Sequence, residues 1–252
     1  MRIRLLLTGL APLLMAQAKP VLVPDISARS VEIRYSFNGA QLLLFGAILY
    51  PGGKVPARPA DIVVVLKGPV EPIVVREKQK IAGIWMNADS NRFRSAPSFY
   101  AVASSRPMRD LVDERTAAIY ELGLQDLQLS PGGGALPDKE RRFESGLLDL
   151  RRRSGLYAQT DNGVEISQGV LYRARIAIPS QVPVGTYTTE TFLIDRGKVV
   201  AAATRDVDVG KAGFERSIAI AARQYGFLYG LASVLLSLGL GWAAAMLFRR
   251  RA

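Results

Sequence analysis

The sequence predicts a mainly β chain: an Ig-like β-sandwich, in one or two lobes, that carries an α-helical insert and is followed by one C-terminal transmembrane helix. Three observations lead there. Short β-branched or alternating runs, separated by turn residues, occupy both sides of the middle of the chain. Between them, near 107–155, apolar residues recur at helical spacing. Tyr225 to Phe248 is 24 residues without a charge and runs directly into Arg249, Arg250 and Arg251.

The elements follow in chain order. Arg2 and Arg4 precede a short apolar core, and Ala16-Gln17-Ala18 fits a small-x-small cleavage pattern, so 1–18 reads as a secretory signal. The pattern reads as cleaved after Ala18, and an uncut anchor would equally leave the middle of the chain outside. Residues 19–210 then form a periplasmic β-rich domain. Val31, Ile33, Tyr35 and Phe37 alternate with polar residues, and Asn38-Gly39 is a turn dipeptide, which predicts a hairpin with the strand Gln41–Leu49. That second strand is almost wholly apolar and reads as covered on both faces. Asp61–Leu66 is another strand, Ile73–Arg76 and Ile81–Met86 are short ones, and Phe99–Ala103 closes the first group.

The insert reads as two amphipathic helices, Met108–Leu122 with Leu111, Ala118 and Leu122 on its stripe, and Asp138–Arg153 with Phe143, Leu147 and Leu150. Pro131-Gly132-Gly133-Gly134 between them is a linker; it lacks the Gly-Lys-Ser/Thr of a phosphate loop. Beyond the insert, Tyr172, Ala174, Ile176 and Ile178 alternate, and Val184–Ile194 with Lys198–Val209 forms a hairpin around Asp195-Arg196-Gly197. Residues 211–224 are expected to be an amphipathic juxtamembrane helix, 225–248 the membrane span and 249–252 a basic cytoplasmic tail. A helix of that length rises about 36 Å, enough for a bilayer core of about 30 Å. The arginine cluster behind it favours the cytoplasmic side.

Composition excludes several chemistries. The 252 residues contain no cysteine and no histidine, so Ser-His-Asp and Cys-His nucleophile systems and ordinary zinc sites are absent from this chain. Net charge is +11, of which Arg2, Arg4, Arg249, Arg250 and Arg251 account for five, leaving +6 for the rest. A basic exported domain beside a membrane points to anionic headgroups or an acidic partner rather than nucleic acid.

The candidate sites each have a plainer reading. Trp85, Asn87 and Asp89 suggest a ligand pocket with an aromatic wall, or else a core tryptophan beside turn residues. Arg141, Arg142 and Arg151–Arg153 suit an anionic surface or a solvated helix face. Asp110, Asp113 and Glu114 lack calcium-loop spacing, and no metal or cofactor is expected. Gly226, Gly230, Ser237, Gly241 and Ala245 form a small-residue ridge of the kind along which membrane helices pair.

Several blocks occur together: Ser36-Phe37-Asn38-Gly39-Ala40 with Leu42–Ala47, Gly68-Pro69 with Val74-Val75-Arg76, and Gly83-Ile84-Trp85-Met86-Asn87. Pro97-Ser98-Phe99-Tyr100-Ala101, Pro183-Val184-Gly185-Thr186-Tyr187 and Gly213-Phe214-Glu215-Arg216 with Tyr229-Gly230 continue the series. In these the chain resembles an alphaproteobacterial family of transmembrane proteins of unknown function. The resemblance implies an envelope topology, assigns no catalytic residue, and carries an association with a multi-spanning inner-membrane permease similar to sulfite exporters. The expectation is therefore a non-enzymatic, single-pass inner-membrane protein with its bulk in the periplasm, serving as an accessory or binding subunit. The rivals are an envelope enzyme using carboxylate or Ser-Lys chemistry and a structural envelope protein.

Overall fold

The computed structural model describes residues 19–33, 39–133, 136–211, 218 and 221–249. The signal over 1–18, the turn residue Asn38, most of the juxtamembrane helix, and Arg250 and Arg251 lie outside the described residues.

Before the insert come β1 (Val21–Ile26), β2 (Ser30–Ile33), β3 (Ala40–Leu49), β4 (Asp61–Lys67), β5 (Val70–Ile81), β6 (Ile84–Pro97) and β7 (Tyr100–Ser104). The insert holds α1 (Met108–Leu111), α2 (Glu114–Tyr120), the two-residue β8 (Ser130–Pro131) and α3 (Pro137–Arg153). Then follow β9 (Tyr157–Thr160), β10 (Val164–Ser167), β11 (Leu171–Ile178), β12 (Gly185–Asp195), β13 (Lys198–Lys211) and the terminal helix α4 (Gly226–Arg249).

One sheet runs β1-β3-β11-β10 and a larger one β2-β13-β12-β4-β7-β9. The two stack face to face, and their inner side chains join in one contiguous core, so the domain has one lobe rather than two. In β11 the alternation is strict, with Tyr172, Ala174, Ile176 and Ile178 buried and the residues between them outward. β12 and β13 form the expected hairpin, turning at Arg196-Gly197 with φ of 48° and 78°, the paired positive values of a two-residue turn. Two pairs are parallel, β13 with β2 and β7 with β9, which sets this sandwich apart from a purely antiparallel one.

Four expectations change. First, β2 and β3 are not a hairpin. β2 runs parallel to β13, while β3 lies between β1 and β11, so the chain crosses from one sheet to the other. Nor is β3 covered on both faces: Leu42, Leu44 and Ile48 are buried, whereas Phe45 and Leu49 face out. The strands with both faces covered are β4, where Ile62 to Leu66 are all 0% exposed, and its neighbour β7, buried at every position. For β4, the second covering layer is the segment 106–129. The Tyr100 hydroxyl donates to the Glu121 carbonyl at 2.6 Å, Arg106 pairs with Asp61, and the Tyr120 ring meets Phe192 edge-on at 5.6 Å.

Second, Ile73–Arg76 and Ile81–Met86 are not separate short strands. β5 and β6 are the arms of one long hairpin that turns at Ala82-Gly83, with φ of 49° and 86°. Third, the helix expected over 108–122 is broken in two. Val112 is extended, and the Asp113 carboxylate accepts from the Thr116 amide at 2.9 Å, capping a new helix. Ala117, not Ala118, is then the buried residue, and Leu122 packs from beyond the helix end. Fourth, the inward stripe of α3 runs through buried Phe143 and Leu147 to half-buried Arg151, while Leu150 is exposed. Spacing by four keeps that stripe over the hairpin, and the cation at its end has an acidic partner there.

Candidate functional site: a stapled hairpin and an uncovered helix

Two features lie outside the two stacked sheets, the first of them packed onto the same core through Phe93 and Phe143. The first is the β5–β6 hairpin with α3 laid against it. Arg151 Nη2 donates to Glu71 Oε1 at 2.7 Å, and Lys139 Nζ to Asp89 Oδ1 at 2.5 Å. Arg142 Nη2 lies 3.2 Å from Asp89 Oδ2 and 3.1 Å from Glu77 Oε2. Lys139 and Arg142 also sit 5.7 Å and 5.4 Å from the centroid of the buried Phe143 ring. The hydrogen bond from Lys139 holds the Asp89 carboxyl below the ordinary carboxylate range. Of the remaining cations on α3, Arg141 pairs with Asp138 and Arg153 with Asp149 within the helix itself. These arginines and Lys139 are thus largely committed to acids of the chain, which removes most of the free basic face that the sequence suggested.

A bulge decides where the candidate pocket residues go. Glu77 pairs with Asp89 and Lys78 with Asn87, leaving Ala88 as the extra residue. Paired residues share a face and neighbours alternate, so Asp89 lies with Glu77 and Asn87 lies opposite, with Lys78. Trp85 pairs with Lys80 on that second face and is 66% exposed. The spacing of two that put Trp85, Asn87 and Asp89 together in the sequence is broken by Ala88. Trp85 stands in the open near the turn, and Asp89 is an anchor for α3.

The second feature is α4. Residues 221–224 are helical and lead into it, Tyr225 N donating to the Ala221 carbonyl at 2.9 Å. The stretch Gly226–Met246 is 21 residues long, apolar enough to cross a membrane, and none of it is buried within the protein. Tyr225 and Tyr229 stand near its start and Trp242 near its end, the places where aromatic side chains collect at bilayer interfaces. At about 100° per residue, Gly226, Gly230, Ser237, Gly241 and Ala245 fall within roughly one quarter to one third of the helix circumference. Ser233 belongs on the same strip, a member that the four-residue count passed over. Its hydroxyl donates to the Tyr229 carbonyl and that of Ser237 to the Ser233 carbonyl, both at 2.8 Å. The ridge therefore needs no outside hydrogen-bond partner. A side chain added at Gly226, Gly230 or Gly241 would meet nothing within 4 Å beyond the local helix backbone.

The domain also has concave surface. A cleft of about 870 Å³ beside α1 and α2 is lined by Glu114, Asp126, Arg152 and Gln159 among others. Burial, and then the charge of Glu114, hold the Asp126 carboxyl above its ordinary value. Lys67 joins this layer to the sheet, 2.7 Å from Glu121 and 3.1 Å from Glu190. Burial pulls its ammonium down, but the two carboxylates outweigh that and raise its pKa. No group of three or more acidic side chains among the described residues is placed to hold a metal ion.

The family model described as "Putative transmembrane protein (Alph_Pro_TM)" matches residues 21–250, nearly all of the chain after the first twenty residues. No curated protein matches it.

Proposed function

The chain belongs to this family of transmembrane proteins, and on that footing we propose that it is a non-enzymatic accessory or binding subunit, held by α4 beside a multi-spanning inner-membrane protein such as a permease. The β-rich domain lies in the periplasm and the arginine tail in the cytoplasm. That orientation is supported by the charge rule for flanking arginines.

One observation carries the subunit reading. Glycine disfavours a helix by about 1 kcal/mol relative to alanine. Nothing inside the chain crowds Gly226, Gly230 or Gly241, so internal packing does not call for glycine at those positions. A second helix seated on the ridge does, because lipid tails provide no hydrophobic drive for association and close backbone approach must replace it.

Gly239 supplies the control: it is equally uncrowded but lies on the opposite side of α4. Tagged full-length protein, isolated in mild detergent and analysed by mass spectrometry, should bring down a multi-spanning protein. Gly230→Ile should lose that partner and Gly239→Ile should keep it. A wild-type chain that reproducibly emerges alone, or equal retention by both variants, would overturn the reading.

A further inference from the structure

We propose that the tip of the β5–β6 hairpin, residues 78–87, is a second membrane contact, seated in the headgroup region of an anionic bilayer. Ile81, Ile84, Trp85 and Met86 are 49%, 67%, 66% and 51% exposed, so four large apolar side chains crowd within six residues at one free end. By register, Gln79, Ile81, Ile84 and Met86 share one face, and Lys78, Lys80, Trp85 and Asn87 share the other. This juxtaposes an apolar face with one that pairs lysine with tryptophan, the chemistry found where protein meets headgroups.

Charge points the same way. Lys78-Gln79-Lys80-Ile81-Ala82-Gly83-Ile84-Trp85-Met86-Asn87 contains two cations and no acid. The nearest acids, Glu77 and Asp89, face Arg142 and Lys139 of α3. The α3 staple thus neutralises the base of the finger and leaves its tip positive, which complements an anionic lipid surface.

Shape favours a bilayer over a protein partner. The α3 ion pairs nearest the tip fall at Glu77 and Asp89, and the four residues Lys78–Ile81 extend about 13 Å beyond them at strand rise. The two-residue turn closes that end convexly, and a Cβ at Gly83 would meet nothing within 4 Å. A narrow convex finger offers no recess for an anchor side chain, but its reach suits a headgroup layer of about 5–8 Å. A bilayer is at hand, because α4 ties the domain to one. The inference uses only that tether, and it is independent of any protein partner of the ridge.

The chain has two tryptophans, Trp85 and Trp242. Full-length protein carrying Trp242→Phe therefore reports from Trp85 alone. It is reconstituted into vesicles of phosphatidylethanolamine and phosphatidylglycerol in which part of the lipid carries brominated acyl chains. The expected result is blue-shifted Trp85 emission, quenched by the brominated lipid and protected from aqueous acrylamide. Adding Ile84→Asp should abolish the quenching while the near-ultraviolet circular dichroism of the domain is kept. Lys80→Gln should lower the inserted-to-free ratio roughly fivefold in these vesicles, the value of one charge near an anionic surface, and leave it unchanged in all-phosphatidylcholine vesicles. Trp85 fully open to acrylamide and untouched by bromine would overturn the proposal. So would Trp85 protected from both quenchers, which would mean that a protein surface, such as a second copy of the chain, covers the tip.

Discussion

β4 and α4 are both apolar on every side, yet they end in opposite surroundings. In β4 each residue from Ile62 to Leu66 is wholly buried, flanked by β12 and β7 and covered by a sheet on one face and the 106–129 layer on the other. In α4 the span Gly226–Met246 has no cover at all, and Leu236, Leu238 and Trp242 are each about two-thirds exposed. The two segments have the same chemistry, so hydrophobicity alone cannot distinguish core from membrane. Length and partners do. A five-residue run needs only neighbouring strands and a layer on each face, whereas a bare helix that long has no place in water and fits a bilayer.

A charge placed in each segment gives the largest expected effects. Val64→Asp puts an unpaired carboxylate where no water reaches, a loss above about 4 kcal/mol against a total stability of about 5–15 kcal/mol. The domain should fail to fold, read as loss of near-ultraviolet circular dichroism. Leu235→Arg instead costs about 2.5–3.5 kcal/mol of insertion and leaves the core untouched. The domain signal should persist while more protein is released by alkaline carbonate. Equal damage to folding from both substitutions would break the contrast.

The staple between α3 and the hairpin is a smaller effect. Arg151→Ala removes a part-buried, charge-assisted bond to Glu71 and should cost about 1–3 kcal/mol, seen as a lower Tm with the rest of the fold kept. Acid acts on the same region. Because the folded-state pKa of Asp89 is lowered, its contribution is complete above the unfolded carboxylate value of about 4 and is lost as pH falls through the lower folded value. Hydrogen exchange should show α3 loosening from the hairpin there, ahead of β4. Asp89→Asn should remove that pH dependence.

What the sequence revealed follows from how local each signal is. The alternation of β11 and the Arg196-Gly197 turn are short-range patterns, and both were readable. Ala82-Gly83 makes the same kind of turn with an alanine in place of the usual asparagine, so the residue pattern alone breaks the long hairpin into separate pieces. The bulge at Ala88 leaves no mark in the residue pattern, yet it separates Asn87 from Asp89. The acids that answer Lys139, Arg142 and Arg151 lie 50 to 80 residues away, so the basic run of α3 looked free. β2 pairs with β13 at the far end of the domain, a long-range choice that an Asn-Gly signal beside it obscured. The small-residue ridge depends only on helical spacing within α4, and the pairing expected of it is left to the Gly230→Ile experiment.

The absence of cysteine makes the membrane span directly testable. Ser237→Cys places a single thiol near the middle of α4, for reaction with a membrane-impermeant maleimide in intact membranes and again after detergent. A spanning α4 should leave this thiol unlabelled until detergent is added. Full labelling in intact membranes would contradict the span.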